Sequence, residues 1–324
     1  MDVALLCKFF FTIGAAVDIG GLLVPSFRRQ IMNYGSRREK TVPQEGKGED
    51  IHPEFKLSFV LDFVASFQVP HTWFTHFYVI SVASSIFWAI QLLTRGRIFN
   101  FLASWHQASD VPGMTFNQVF LAWVFMTLQG VRRLYECITL TEPSHSKMWA
   151  GLWLTGIAYY IFMGISVWIE GIGEWLPQVN CRWLTRLDAL NSVELHPSLL
   201  EISKPSIKTF IAVPIFILAS GIQHDCHVYL ASLKKYTLPD HKLFRAVICP
   251  HYTSECFIYL AIAIVAAPKG QVLNSTVLSG MGFVVSNLAV TADSTRKWYT
   301  EKFGAEKLKG RWRMVPYIYW VHMP

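Results

Sequence analysis

The stretch 148-MWAGLWLTGIAYYIFMGISVWI-169 decides the class of fold. It runs for 22 residues without a charged side chain, and a bilayer core needs about 20 mostly apolar residues in helical form. Working outward, six further stretches approach that length: Val3–Pro25, Phe74–Leu93, Phe116–Val131, Ile207 to about Leu230, Leu243–Ala267 and Val272–Ala292. Phe116–Val131 continues helically into Arg132 and Arg133, and a shorter apolar helix from Leu57 to Val69 precedes the second stretch. Val3–Pro25 has no basic residues ahead of its apolar run and no A-x-A-like cleavage site, so it reads as a retained helix. The expectation is an all-α, polytopic membrane protein of seven helices, forming a single membrane-embedded domain over residues 1–324.

Composition agrees. Of the 324 residues 52% are hydrophobic and only 16% charged, against roughly 25% charged in soluble domains. This excludes a disordered chain, a coiled coil and a nucleic-acid-binding domain with a basic face. The net charge of +7 is a matter of placement: 21 of the 29 basic residues fall in Arg28–Lys56, Arg132–Lys147, Lys234–Arg245 and Arg296–Arg313. These are alternate connections and the tail, so the positive-inside rule puts the N-terminus in the lumen and the C-terminus in the cytosol. Residues 26–56 read as a flexible cytosolic loop, and 171–206 as the longest connection on the other side, with an interfacial helix. Six Cys without a C-x-x-C read as buried thiols, four of them inside apolar stretches.

A charge in the middle of a membrane helix costs about 2.5–3.5 kcal/mol on insertion scales, so such residues mark interiors and wet cavities. Here they gather near the cytosolic ends of the third, fifth, sixth and seventh stretches. The third ends in Gln129, Arg132, Arg133 and Glu136; the fifth in Gln223, His224, Asp225 and His227; the sixth begins with His251, Tyr252 and Glu255; the seventh carries Asn287 and leads to Arg296 and Tyr299. His251, Glu255 and Tyr259 are four apart and share a helix face, as do Gln223 and His227, while Arg132 and Glu136 pair at i, i+4. Four segment ends therefore line a polar pocket open to the cytosol. The bland reading of each basic pair is a headgroup anchor. His224-Asp225-Cys226-His227 is too short a pattern to specify a metal, and no site metal is expected. No G-x-G-x-x-G after a strand, P-loop or G-x-S-x-G elbow occurs.

At these residues, together with Val69–Tyr78, Trp298–Phe303 and Arg311–Pro316, the sequence resembles the membrane-embedded steroid 5α-reductase family, in its polyprenol (polyprenal) reductase branch. The resemblance implies seven membrane helices, NADPH as hydride donor, reduction of a carbon–carbon double bond, residence in the endoplasmic reticulum membrane, and a role in dolichol synthesis supporting protein N-glycosylation. It implies a C-terminal cofactor-binding half over 200–324, with Arg132, Gln223, His227, His251, Tyr252, Glu255, Tyr259, Asn287, Arg296, Tyr299 and Arg311 on the cofactor side. Departures are visible: Arg296 stands where the family usually has His, Gln68 takes the place of the steroid enzymes' substrate-side Glu, and Gln129 approximately that of their carbonyl-side Tyr. Steroid activity is thereby disfavoured, and His76, Tyr78 and Gln129 become the catalytic candidates on the substrate side.

An isolated allylic alcohol is a poor hydride acceptor, whereas an α,β-unsaturated aldehyde can pass charge to its oxygen. Polyprenal is therefore the expected substrate and its polyisoprenoid tail the membrane-borne partner; no obligatory protein partner or nucleic acid is expected. Competing readings are a 3-oxo-5α-steroid 4-dehydrogenase, an isoprenylcysteine-type membrane methyltransferase, and a seven-helix receptor or transporter, which leaves the polar cluster unexplained.

Overall fold

In the computed structural model the described residues are 2–23, 63–106, 113–141, 145–172 and 205–316. They are almost wholly helical: α1 Val3–Leu23, α2 Thr75–Thr94, α3 Arg97–Trp105, α4 Phe116–Thr139, α5 Ala150–Ser166, α6 Ile207–Ser232, α7 Lys242–Ala246, α8 Pro250–Val265 and α9 Ser275–Phe303. Two three-residue strands, β1 Gln68–Pro70 and β2 Lys147–Trp149, pair antiparallel with Val69 opposite Met148, and bring the starts of α2 and α5 together. The expected loop over 26–56 and most of the 171–206 connection lie outside the described residues.

Among the described residues, five helical stretches are long and apolar enough to cross a membrane: Val3–Gly21, His71–Thr94, Ala150–Gly171, Ile207–Ser232 and Ser275–Phe303. The other two expected stretches take a different form. Helix α4 has 24 residues, about 36 Å of helix, but its second half carries the polar cluster. Leu243–Ala267 is broken: α7 ends at Ala246, and α8 starts afresh at Pro250. Pro250 brings no backbone N–H and suits the first position of a helix. The preceding residues are tied to the C-terminal segment instead. Ile248 N–H donates to Trp312 O (2.7 Å), Cys249 N–H to Arg313 O (3.1 Å), and Trp312 N–H to Ala246 O (2.8 Å). Thr253 Oγ1 donates to Met314 O, and Arg313 Nε to Asp293 Oδ1 at 2.6 Å. A break in an apolar run leaves backbone groups that must be paired, and residues 311–314 pair them. The apolar run from Leu57 to Val69 differs too: among its described residues, 63–66 are helical and β1 begins at Gln68.

Helix α6 runs along α8, α1 along α9, and α2 lies against both α4 and α5. The apolar face of each meets the others in one core that includes Phe11, Trp168, Tyr259 and Ile262. Exposed Leu5, Phe9, Ile86, Ile90, Phe210 and Leu218 point the other way, as lipid-facing positions do. Small residues set the close approaches: a Cβ on Gly130 of α4 would lie 2.7 Å from Ser81 Oγ of α2, and one on Gly280 of α9 would lie 2.3 Å from Met163 Cε. Asn274, fully buried, accepts from Val277 N–H and donates to Ala266 O, capping α9 while fixing it to the end of α8.

Candidate active site

Two turns of α4 supply Gln129, Arg132, Arg133 and Glu136 where α6 presents Gln223, His224 and His227 and α8 presents His251 and Glu255. Glu136 is 2% exposed and organises the group. One carboxylate oxygen accepts from Arg132 Nη1 at 2.5 Å and lies 2.8 Å from His224 Nδ1; the other accepts from Arg133 and lies 2.7 Å from His227 Nδ1. A buried carboxylate is tolerable only with such partners, and removing one side of a buried ion pair typically costs about 3–5 kcal/mol.

The rest of the network grows from Arg132. Its second guanidinium nitrogen donates to Gln129 Oε1 (2.6 Å) and to Gln223 Oε1. Gln129 Nε2 donates to Gln223 Oε1 (3.2 Å) and Glu255 Oε2 (3.1 Å), while Gln223 Nε2 donates to Glu255 and to His251 O (3.2 Å). Two amides thus hold one carboxylate oxygen of Glu255 in place. Arg133 turns to α2, where two of its nitrogens donate to Tyr78 Oη at 3.2 and 3.0 Å.

A cavity of about 210 Å³ opens between α2, α5, α6, α8 and α9. Tyr78, Arg133, Gln223, His227, His251, Tyr252, Glu255 and Asn287 give it a polar lining, and Phe74, Phe77, Met148, Leu152, Tyr159, Tyr160, Tyr259 and Phe283 give it aromatic and apolar walls. Asn287 is backed by α1: its Nδ2 donates to Asp18 Oδ1 at 3.4 Å, beside a bond from Ser286 Oγ to Asp18 Oδ2 at 3.2 Å. Asp18 is 6% exposed.

Of the candidate residues, Tyr78, Gln223, His227, His251, Tyr252, Glu255, Tyr259 and Asn287 line this cavity. Gln129 and Arg132 stand one layer behind, bonded to Gln223. His76 lies elsewhere, its ring 5.3 Å from that of Trp73 and 6.0 Å from that of Trp153. Arg296 is half-buried on α9. Tyr299 packs against a small buried cluster that includes Ile248, Cys249 and Met314. Arg311 donates to Pro239 O (2.8 Å) and Phe244 O (3.2 Å), pinning the turn before α7. Arg133, Tyr159 and Tyr160 were not among the candidate site residues. Arg133 follows a residue that was, and its i, i+3 spacing to Glu136 is the signal that would have found it. The two tyrosines are indistinguishable by pattern from wall residues of an apolar helix.

Comparison with known proteins covers the α6 to α9 part of this site by family and most of the chain by relatives. Residues 197–319, which hold α6 to α9 and the C-terminal segment, match the family described as 3-oxo-5-alpha-steroid 4-dehydrogenase. Polyprenal reductase 2 of Oryza sativa subsp. japonica is 26% identical, covering 94% of this chain and 93% of its own. The polyprenal reductase of Saccharomyces cerevisiae is 26% identical over 85% of each chain. That of Homo sapiens is 27% identical over 78% of this chain and 79% of its own. In its C-terminal part the chain carries the 3-oxo-5-alpha-steroid 4-dehydrogenase family pattern, and along most of its length it resembles the polyprenal reductases of plants, yeast and animals.

Proposed function

We propose that this protein reduces the α-isoprene double bond of polyprenal with NADPH, the step that yields the dolichol skeleton for protein N-glycosylation. The observation that carries the reading is the cavity that joins the α4–α6–α8 polar cluster to aromatic and apolar walls. A dinucleotide needs cationic groups for its phosphates and a flat apolar slot for its ring. The donor set fits: Arg133, His227 and His251 stand in the polar lining, and tyrosine and phenylalanine rings form the walls. When bound, NADPH supplies a hydride equivalent. Arg132 and Arg133 offset phosphate charge, the Glu255 carboxylate held by Gln129 and Gln223 orients polar groups of the cofactor, and Asn287, backed by Asp18, offers an amide. The aromatic walls exclude water and receive the isoprenoid head, with Tyr78 between them and the polar lining.

The same reading takes all seven apolar stretches as spans. The polar cluster then faces the cytosol of an endoplasmic reticulum membrane, where the basic connections also lie. Helix α4 has the length, and α7 with α8 make one discontinuous crossing. Tags at residue 236 and at the C-terminus should then be reached by an impermeant reagent from the cytosolic side, and a tag at the N-terminus should not.

The deciding experiment is product analysis after incubating purified protein with NADPH and polyprenal, polyprenol or a 3-oxo-Δ4 steroid in parallel. Dolichal from polyprenal is expected; turnover of the steroid alone would refute the assignment. Turnover of S-adenosylmethionine, or ligand binding without NADPH oxidation, would favour the methyltransferase or receptor readings.

A further inference from the structure

Most polar side chains around the cavity are already committed to one another, and the buried hydroxyl of Tyr159 stands outside that network. Tyr159 lies in the middle of α5, is 6% exposed and lines the cavity. Its Oη is buried and makes no well-formed hydrogen bond among the described residues, the Tyr259 hydroxyl being its neighbour. Leaving a buried polar group unsatisfied costs about 1–3 kcal/mol, so the position is expensive unless something arrives to accept the bond. The ring is not free to turn away. Phe11, Tyr160, Tyr259 and Phe283 surround it edge-on, with centroids 5.3 to 6.0 Å away. Tyr78 contrasts with it, since its oxygen accepts two bonds from Arg133.

Depth also matters. Tyr259, the ring neighbour of Tyr159, follows Glu255 by one helical turn, so it lies about 6 Å further along α8. The Tyr159 hydroxyl therefore sits among aromatic rings, outside the hydrogen-bonded charge network, where a neutral carbonyl is better received than an anion. We propose that Tyr159 is a catalytic residue that donates a hydrogen bond to the aldehyde oxygen of the α,β-unsaturated substrate; the assignment rests on the function proposed above. As hydride adds to the β-carbon, the π electrons of the carbon–carbon bond move to form a new double bond between the α-carbon and the carbonyl carbon. The carbonyl pair moves onto oxygen, and the Tyr159 O–H stabilises that enolate in a water-poor site. The α-carbon then takes a proton that comes from water, the enolate collapses to the saturated aldehyde, and the nicotinamide is left oxidised.

The test is Tyr159→Phe in the full-length protein. It removes an oxygen without a well-formed hydrogen bond, so the detergent melting temperature should stay close to that of the natural protein. Expected is a kcat for polyprenal lower by about 10²-fold, with NADPH affinity unchanged. Independently of turnover, the carbonyl stretch of a short-chain enal bound without cofactor should shift to lower frequency in the natural protein and not in Tyr159→Phe. A variant with natural kcat and the same carbonyl frequency overturns the role of Tyr159 while leaving the proposed function intact. A shifted carbonyl in a natural protein that does not reduce polyprenal with NADPH upholds the contact and refutes the function. Absence of both shift and turnover in the natural protein refutes the two together.

Discussion

Glu255 shows how one side chain joins two layers of the site. It lines the cavity, yet one of its oxygens is held by the amides of Gln129 and Gln223, whose own oxygens face Arg132. Replacing the carboxylate by an amide leaves one oxygen that can still accept both bonds but removes its charge, and charge-assisted bonds are worth about 1.5–3 kcal/mol. Glu255→Gln should therefore weaken NADPH binding by roughly tenfold or more, measured by titration of the purified protein. Unchanged affinity would remove Glu255 from the cofactor site. This part of the site was readable, because His251, Glu255 and Tyr259 repeat every four residues and Gln223 with His227 do the same. What was not readable is long-range. Asp18 and Asn287 are 269 residues apart in sequence, and neither carries a local pattern naming the other. His76 sits in a motif with Tyr78, but two residues apart on a helix point in different directions, and His76 turns to tryptophans.

Between elements, the contact of α2 with α4 sets where Arg133 meets Tyr78. Gly130 makes that contact possible, and a branched side chain there would overlap Ser81 and touch Val82. Overpacking of this kind costs about 1–3 kcal/mol, so Gly130→Val should lower the detergent melting temperature. It should also loosen NADPH binding, because Arg133 lies less than one turn away. A second link joins the turn before α7 to the C-terminal segment. Asp240 Oδ1 and Oδ2 accept from Arg245 at 3.0 and 2.9 Å, with Arg311 3.6 Å away. The hydrogen bond from Arg245, then the charges of Arg245 and Arg311, hold the Asp240 carboxyl below its ordinary range. Its contribution is thus present at neutral pH and lost only as pH falls through the lowered value. The effect of Asp240→Asn on melting should be small and flat from about pH 5 upward, since an exposed pair is screened. Hydropathy alone joins Leu243 to Ala267 in one run. The break depends on residues 311–314 supplying backbone partners more than 60 positions later, and on Pro250 restarting the helix.

For the molecule as a whole, the apolar runs made the helical, membrane-crossing architecture legible before any coordinates. Length and hydropathy suffice for α1, α2, α5, α6 and α9. They are weakest where function intrudes: α4 carries the polar cluster that lowers its hydropathy, and α8 is only 16 residues long, about 24 Å. The short antiparallel pair of β1 and β2 has no signal of its own, because three residues cannot display an alternation.

The apolar walls of the cavity have a kinetic consequence. On the function proposed above, a pocket walled by Phe74, Phe77, Leu152 and Phe283 would take its lipid from a two-dimensional solution and its dinucleotide from a three-dimensional one. The two substrates then obey different concentration scales. At saturating NADPH, adding inert phospholipid at fixed total polyprenal should slow the reconstituted protein in proportion to the fall in polyprenal mole fraction. Diluting the whole vesicle suspension with buffer should leave the rate per protein unchanged. A rate that follows bulk polyprenal instead would mean that the lipid is captured from water.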